Sequence, residues 1–241
     1  MKVAAVIPGA GQGLRFSGDS SGLNRHDKKK QFLQLGDKPL IFTTLEPFLQ
    51  STIITSVIVV VPEDRIDWIN NQVKTGFFNK PVYVVLGGDT RQRSVRNGVE
   101  VAASQHDVVV VHDAVRPFVK EVWISETVNL CEKFDGAIVA IKAKDTLKKV
   151  NDSVVNSTLE REGIWQAQTP QTFKTDVLLA AIESADEKGI IGTDEAQLVE
   201  MNGGRVAIVE GSTLNIKITT QEDWELAKAI WKERLNIVAL S

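Results

Sequence analysis

Cysteine is almost absent from this chain of 241 residues: Cys131 stands alone, which excludes an intramolecular disulfide. Histidine is nearly as scarce, at three residues, so the nitrogen and sulfur cage of a transition metal is not expected. No apolar run reaches the roughly 18 to 20 residues that span a bilayer, and the first residues lack the charged, apolar and small-residue regions of a secretory signal. A soluble protein of the reducing cytoplasm is the expectation. An excess of one charge is missing too, because 28 Lys and Arg against 31 Asp and Glu give a net charge of −3. That balance leaves no overall footprint for nucleic acid or membrane and points to a small partner.

What the chain does have is length and apolar content, with 43% hydrophobic residues, enough for one large α/β domain over residues 1–241. Short β-branched runs recur: KVAAVIP, SVIVVVP, PVYVVLGG, DVVVVHD and GAIVAI. Such runs read as strands buried on both faces, because a strand with one wet face would alternate apolar and polar residues. Helical spacing fills the intervals, in PLIFTTLEPFLQS, EDRIDWINNQV and TRQRSVRNGVEVAAS, and again in TQEDWELAKAIWKERL near the end. The alternation predicts a mostly parallel twisted sheet with helices on both faces. Residues 145–162, DTLKKVNDSVVNSTLERE, break the rhythm and read as a projecting β-hairpin turning at Asn151-Asp152-Ser153. Too little apolar surface lies in such an arm for it to stand alone, so it is expected either to pack on a second subunit or to remain a surface hairpin.

The glycine-rich stretch IPGAGQGLRF follows the first apolar run. A Walker loop would need Gly-Lys-Ser/Thr after its spacer, and a dinucleotide fingerprint would need glycine where Leu14 or Phe16 stands. The Walker reading fails on spacing, and the dinucleotide reading is weakened by it. Arg15 and the basic RHDKKKQ that follows put cations in the same connection, which suits a triphosphate held by backbone amides and positive side chains. A solvated charge run is the competing reading for Lys28 and Lys29. Further polar residues follow predicted strands, where open α/β sheets bind ligands: GGDTRQRS after the third and HDAVRP after the fourth. Asp113 is placed to meet a ribose hydroxyl or hydrated Mg²⁺, or else to form an Asx turn.

The ordered motifs GAGQGLRF, KKKQF, GGDTRQRSV, HDAVRPF, DTLK, TLEREGIWQAQTPQTF, TDEA and NIKIT resemble the cytidylyltransferases acting on 2-C-methyl-D-erythritol 4-phosphate, from about Val3 to about Ala229. That resemblance implies a Rossmann-like nucleotidyltransferase fold, CTP and a polyol phosphate as substrates, Mg²⁺ as cofactor, and a homodimer joined through the arm. It assigns Ala10, Gly11, Gln12 and Gly13 to the CTP phosphates, with Arg15 and Lys30 as catalytic cations. Gly87, Gly88, Asp89, Arg91 and Ser94 match the cytosine site. Asp113 and Ala114 match the ribose and metal region, with Asp113 binding Mg²⁺ directly or through water. Arg116, Thr146, Thr169, Arg161 and Lys217 match the acceptor site, the last two also catalytic, with Arg161 acting across subunits.

Two positions depart from the family pattern. Lys29 replaces the proline that usually precedes the lysine, and Lys30 is chosen over Lys28 and Lys29 because it precedes Gln31-Phe32; Gly9 stands where alanine is common. Thr193 reads as a helix N-cap followed by acids that suit the dipole, so TDEA is left outside the site. Cys131, Trp68, Trp123, Trp224 and Trp231 read as packing residues. The rival functions are a ribitol-5-phosphate cytidylyltransferase, a nucleotide-binding regulator without turnover, and a dehydrogenase.

Overall fold

The computed structural model describes residues 1–11, 29–76 and 78–239, with the side chains of the last helix described as far as Arg234. Strand β1 (Val3–Pro8) opens the chain, and the small pair β2 (Gln34–Leu35) and β3 (Lys38–Pro39) leads into α1 (Leu40–Gln50). Then come β4 (Ser56–Val61), α2 (Ile66–Thr75), β5 (Val82–Leu86), α3 (Arg91–Ala103) and β6 (Val108–Val111). The second half runs α4 (Glu121–Leu130), β7 (Gly136–Lys142), β8 (Leu147–Asn151), β9 (Val154–Leu159), β10 (Trp165–Lys174), α5 (Thr175–Glu187), α6 (Glu195–Met201), β11 (Val206–Glu210) and α7 (Gln221–Ala239).

The valine-rich runs pair as the pattern requires. The main sheet has the order β11-β7-β10-β6-β1-β4-β5, and among the described residues β10 is its one antiparallel strand. Successive side chains point to opposite faces, so each central strand feeds two cores. Val3, Ala5, Ile7, Val57, Val59 and Val61 pack with Ile41, Leu45 and Phe48 of α1 and Ile124 and Val128 of α4. The alternate residues Ala4, Val6, Ile58 and Val60 pack with Val95 and Val99 of α3 and Leu178 and Ile182 of α5. Gly98 lets α3 sit this close, since a Cβ there would lie 2.5 Å from Val6 Cγ1. A third cluster, with Leu35, Phe118, Ile218, Trp224 and Ala227, docks α7 beside the β2–β3 pair.

Two strands escape the sequence pattern. β10 carries Gln168, Thr169, Gln171 and Thr172, all buried, because each finds a hydrogen-bond partner inside the protein rather than water. β11 lies at the sheet edge with Ile208 exposed. The helix expected from Glu63 begins as a single 3₁₀ turn, Glu63–Arg65, before α2.

The expected hairpin is present as β8 and β9, which pair antiparallel through a turn at Asp152 and Ser153, both at positive φ (47° and 63°). Such angles belong to the two-residue turns whose twist matches that of the strands. Val150, Val154, Val155 and Leu159 are exposed on it.

Candidate active site

The carboxyl ends of β1, β4, β5 and β6 share one edge of the sheet, and β1 lies between β4 and β6, where the chain's strand order reverses. At that edge open α/β sheets leave a crevice. Here it is a cavity of about 520 Å³ lined by Gly9, Ala10, Gly11, Lys30, Gln31, Gly88, Asp89, Thr90, Arg91, Ser94, Asp113, Ala114 and Lys217.

Each wall has a local cause. Gln31 is buried and donates its Nε2 to the carbonyls of Gly9 (2.7 Å) and Gly11 (2.9 Å), tying the glycine turn to the 3₁₀ turn Lys30–Phe32. Lys29 turns to Asp64 at 2.7 Å, while Lys30 lines the cavity. Of the lysines weighed in the sequence, Lys30, the one chosen, belongs to the lining and Lys29 does not; Lys28 lies outside the described residues, as do Gln12, Gly13 and Arg15. Gly87 permits contact with the first wall, since a Cβ there would stand 2.2 Å from the Cβ of Ala10. Ser94 Oγ accepts from the Gly88 amide and donates to the Thr90 carbonyl, which fixes the turn into α3.

Asp113 is the electrostatic centre. Its Oδ1 meets Arg91 Nε at 3.1 Å; its Oδ2 meets Lys217 Nζ at 2.9 Å and Arg116 Nε at 3.4 Å. Burial by itself would push the carboxyl up, but the charges of Arg91, Lys217 and Arg116 outweigh it and hold it well below the usual carboxylate range. The same contacts, with Glu195, outweigh burial at Arg91 and push its guanidinium up. Arg116 goes the other way, lowered by burial despite Asp113, and it also donates to the Asn215 carbonyl at 2.6 Å.

Behind Asp113 stands a hydrogen-bonded relay. His112 is wholly buried, with Nε2 2.9 Å from the Arg116 carbonyl and Nδ1 2.9 Å from Thr169 Oγ1. A carbonyl only accepts, so Nε2 carries the proton and Nδ1 accepts from Thr169, whose oxygen in turn accepts from the Asp113 amide at 3.2 Å. Both ring nitrogens are thereby used, which removes His112 as a metal ligand beside Asp113. Burial pulls its pKa down to about 4.

Not every sequence-named residue reaches the cavity. Thr169 and Arg116 lie just beneath Asp113 rather than in the lining, and Gly87 acts through its contact with Ala10. Thr146 and Arg161 are exposed on the arm, where Arg161 donates to the Lys144 carbonyl. The reading of Thr193 as the N-cap of α6 is corrected: Asp194 is the cap, its Oδ1 accepting from the Gln197 amide at 2.9 Å. Nor does Glu195 merely face the helix dipole. It is 2% exposed and takes Arg91 in a two-pronged grip, Oε1 at 2.6 Å and Oε2 at 3.0 Å. The TDEA motif was the available signal; its partner lies 104 residues away in the chain.

A glycine-lined, cation-bearing cavity at the strand ends of a mostly parallel sheet defines a class, the α/β proteins that hold nucleotide phosphates on backbone and positive side chains. The sequence model of 2-C-methyl-D-erythritol 4-phosphate cytidylyltransferase (IspD) matches residues 3–233. A protein of that name from Geobacter metallireducens is 44% identical over 239 residues, covering 98% of this chain and 100% of its own; one from Bacillus licheniformis is 40% identical over 230 residues, covering 95% and 96%. Among solved structures, 4-diphosphocytidyl-2C-methyl-D-erythritol synthase from Anaerococcus prevotii superposes with a TM-score of 0.81 at 30% identity, covering 96% of this chain and 98% of its own. The chain belongs to the 2-C-methyl-D-erythritol 4-phosphate cytidylyltransferase family.

The buried His112 sets a pH dependence. Folded, it stays neutral down to about pH 4; unfolded, it takes a proton below about 6.5. The unfolded state therefore binds more protons between these values, so stability is full above about pH 6.5 and falls as the pH drops toward 4, by up to about 3 kcal/mol. Urea denaturation of the parent and of His112→Gln across pH 4 to 7.5 should show this slope in their difference. A difference independent of pH would contradict the buried neutral imidazole.

Proposed function

We propose that this chain transfers the cytidylyl group of CTP to 2-C-methyl-D-erythritol 4-phosphate, giving CDP-methylerythritol and pyrophosphate for non-mevalonate isoprenoid biosynthesis, in the cytoplasm. The observation that carries this reading is the convergence on one cavity of Gly9–Gly11, Lys30, Gly88–Arg91, Asp113 and Lys217, from five separated stretches of chain. Its volume of about 520 Å³ is in the range of small-ligand sites.

The chemistry asks for little beyond alignment and charge. The acceptor is a phosphate monoester, dianionic at neutral pH because its second pKa is about 6, so it attacks the α-phosphorus of CTP without a general base. Pyrophosphate leaves, and negative charge builds at the reacting centre and on the departing group. Asp113 and Glu195 contribute two negative charges, and Arg91, Arg116 and Lys217 three positive ones, a net of +1 before Lys30 is added. In this reading Lys30 and Arg15 draw the phosphates against Ala10, Gly11, Gln12 and Gly13. Gly87, Gly88, Asp89 and Ser94 receive the base, with Arg91 supporting that wall, and Ala114 and Asp113 face the ribose. Lys217 and Arg116 hold the acceptor side, with Thr169 and Thr146.

Cytidylyltransferases generally use a divalent metal, and we assign Mg²⁺. Asp113 fits it: the carboxylate stays ionised and lines the cavity. Among the described residues no group of three or more His, Cys, Asp and Glu converges into an all-protein cage, and Mg²⁺ characteristically relies on one or two carboxylates, water and substrate phosphates. When bound, the ion offsets charge on the triphosphate. We further propose a homodimer through the arm, whose exposed Val150, Val154, Val155 and Leu159 would be covered, with Arg161 of one subunit completing the acceptor site of the other.

Incubating the protein with CTP, Mg²⁺ and either methylerythritol phosphate or ribitol 5-phosphate, followed by ³¹P NMR, should yield pyrophosphate and a CDP product with the first acceptor. Product from ribitol phosphate alone would overturn the substrate assignment. Lys30→Ala should lower kcat by about 10² to 10³, the scale of one lost electrostatic stabiliser, while Lys29→Ala should stay within about threefold. The reverse order would place the wrong lysine at the phosphates. Arg161→Ala should raise KM for the acceptor about tenfold or more and leave KM for CTP nearly unchanged, as expected of a charged contact made to the acceptor alone. Equal effects on both would remove Arg161 from the acceptor site.

A further inference from the structure

We infer that Glu195 is a positioning residue for the reaction, acting through Arg91 to fix the carboxylate of Asp113; the inference rests on the reading of the cavity as the CTP site. A guanidinium presents its donors in a rigid planar fork. Arg91 directs Nη1 and Nη2 to Glu195 and Nε to Asp113, so the fork spans two carboxylates from distant parts of the chain. Three of its five N–H donors are thereby committed to carboxylates. Arg91 is therefore a strut between Glu195 and the cavity floor, and its contribution to the nucleotide passes through Asp113.

The anchor end of the strut is itself locked to the sheet. Gln171 of β10 is 2% exposed, and its side-chain amide grips both neighbours of Glu195: Nε2 donates to Asp194 Oδ2 at 2.8 Å, and Oε1 accepts from the Ala196 amide at 3.2 Å. In the antiparallel ladder Gln171 lies opposite Val111, two residues before Asp113. The contacts form a closed ring: Asp113 follows β6, β6 pairs with β10, Gln171 holds the turn into α6, Glu195 holds Arg91, and Arg91 returns to Asp113. Moving Asp113 sideways would strain that ring.

Charge gives the ring a second function. Without Glu195, the positive charges of Arg91, Arg116 and Lys217 would surround Asp113 alone, and the guanidinium would be free to swing wholly onto it. With Glu195 taking two prongs, Arg91 offers Asp113 one bond. The remaining acceptor capacity of Asp113 is shared among Lys217, Arg116 and the cavity. Buried groups that must be aligned within a fraction of an ångström are held by supporting shells of this kind.

The test measures CTP binding by isothermal titration, with steady-state kinetics beside it. Glu195→Gln keeps the size and removes the charge and one acceptor oxygen. It should weaken CTP binding by about tenfold, the scale of one charge-assisted hydrogen bond, lower kcat/KM for CTP alike, and leave KM for the acceptor within about twofold. In an Arg91→Met background the same change should cost nothing further, because the strut is already gone. Parent-like CTP binding by Glu195→Gln, or the same loss in both backgrounds, would overturn the inference. Should Glu195→Gln fail to fold, the pair Arg91→Met with Glu195→Leu removes both charges together, a change that buried ion pairs often tolerate. Weakened CTP binding by the folded pair supports the strut, and parent-like binding overturns it. A parent chain that binds no CTP would overturn the reading of the cavity and the inference with it, whereas a parent that binds and a Glu195→Gln variant that matches it would overturn the strut alone.

Discussion

The structure depends on keeping one buried carboxylate charged. Removing Asp113 from water costs several kcal/mol, and the close contacts with Arg91, Lys217 and Arg116 offset it. Those cations must themselves be held. Arg116 is fixed by the Asn215 carbonyl, Arg91 by Glu195, and the Asp113 backbone by Thr169 and His112. The polar interior of β10 follows from this demand, since Thr169 and Gln171 are the sheet's connections to that network.

Much of the scaffold was legible because burial on both faces leaves a plain mark. VVVV before His112 and SVIVVV before Pro62 have no alternation to lose, and both became central parallel strands. The helical spacing of TRQRSVRNGVEVAAS became α3, which Thr90 caps by accepting from the Arg93 amide. β10 could not be read this way. A stretch such as QAQTPQTF carries the composition of a loop, and only the positions of Asn215, Asp194 and Thr127 elsewhere in the chain make its side chains at home inside.

The site was legible by type and less so by partner. Glycines beside cations in IPGAGQGLRF and KKKQ pointed to phosphates, and the structure brings Gly9–Gly11 and Lys30 to one wall. The place of Lys30 before Gln31-Phe32 singles it out locally, whereas the pairing of Lys29 with Asp64, 35 residues further on, is encoded in no local pattern. By local rules Glu195 is only an acid in a first helical turn, where the dipole favours it. A contact spanning 104 residues gave it a different partner. Local rules place backbone; long-range ion pairs decide which side chains serve the cavity.

The arm carries the remaining asymmetry of the molecule. Its hairpin turn is fixed locally by Asp152 and Ser153, yet its apolar side chains and Arg161 find little to do within their own chain.

The central claim, that CTP lies in this cavity with its triphosphate on the glycine turn, is tested most directly by a crystal structure of the protein with CTP and Mg²⁺. The account predicts the phosphates against Gly9–Gly11 within hydrogen-bond reach of Lys30, and the ribose at Asp113. A triphosphate bound elsewhere, for example along Lys148 and Lys149 of the arm, would contradict it.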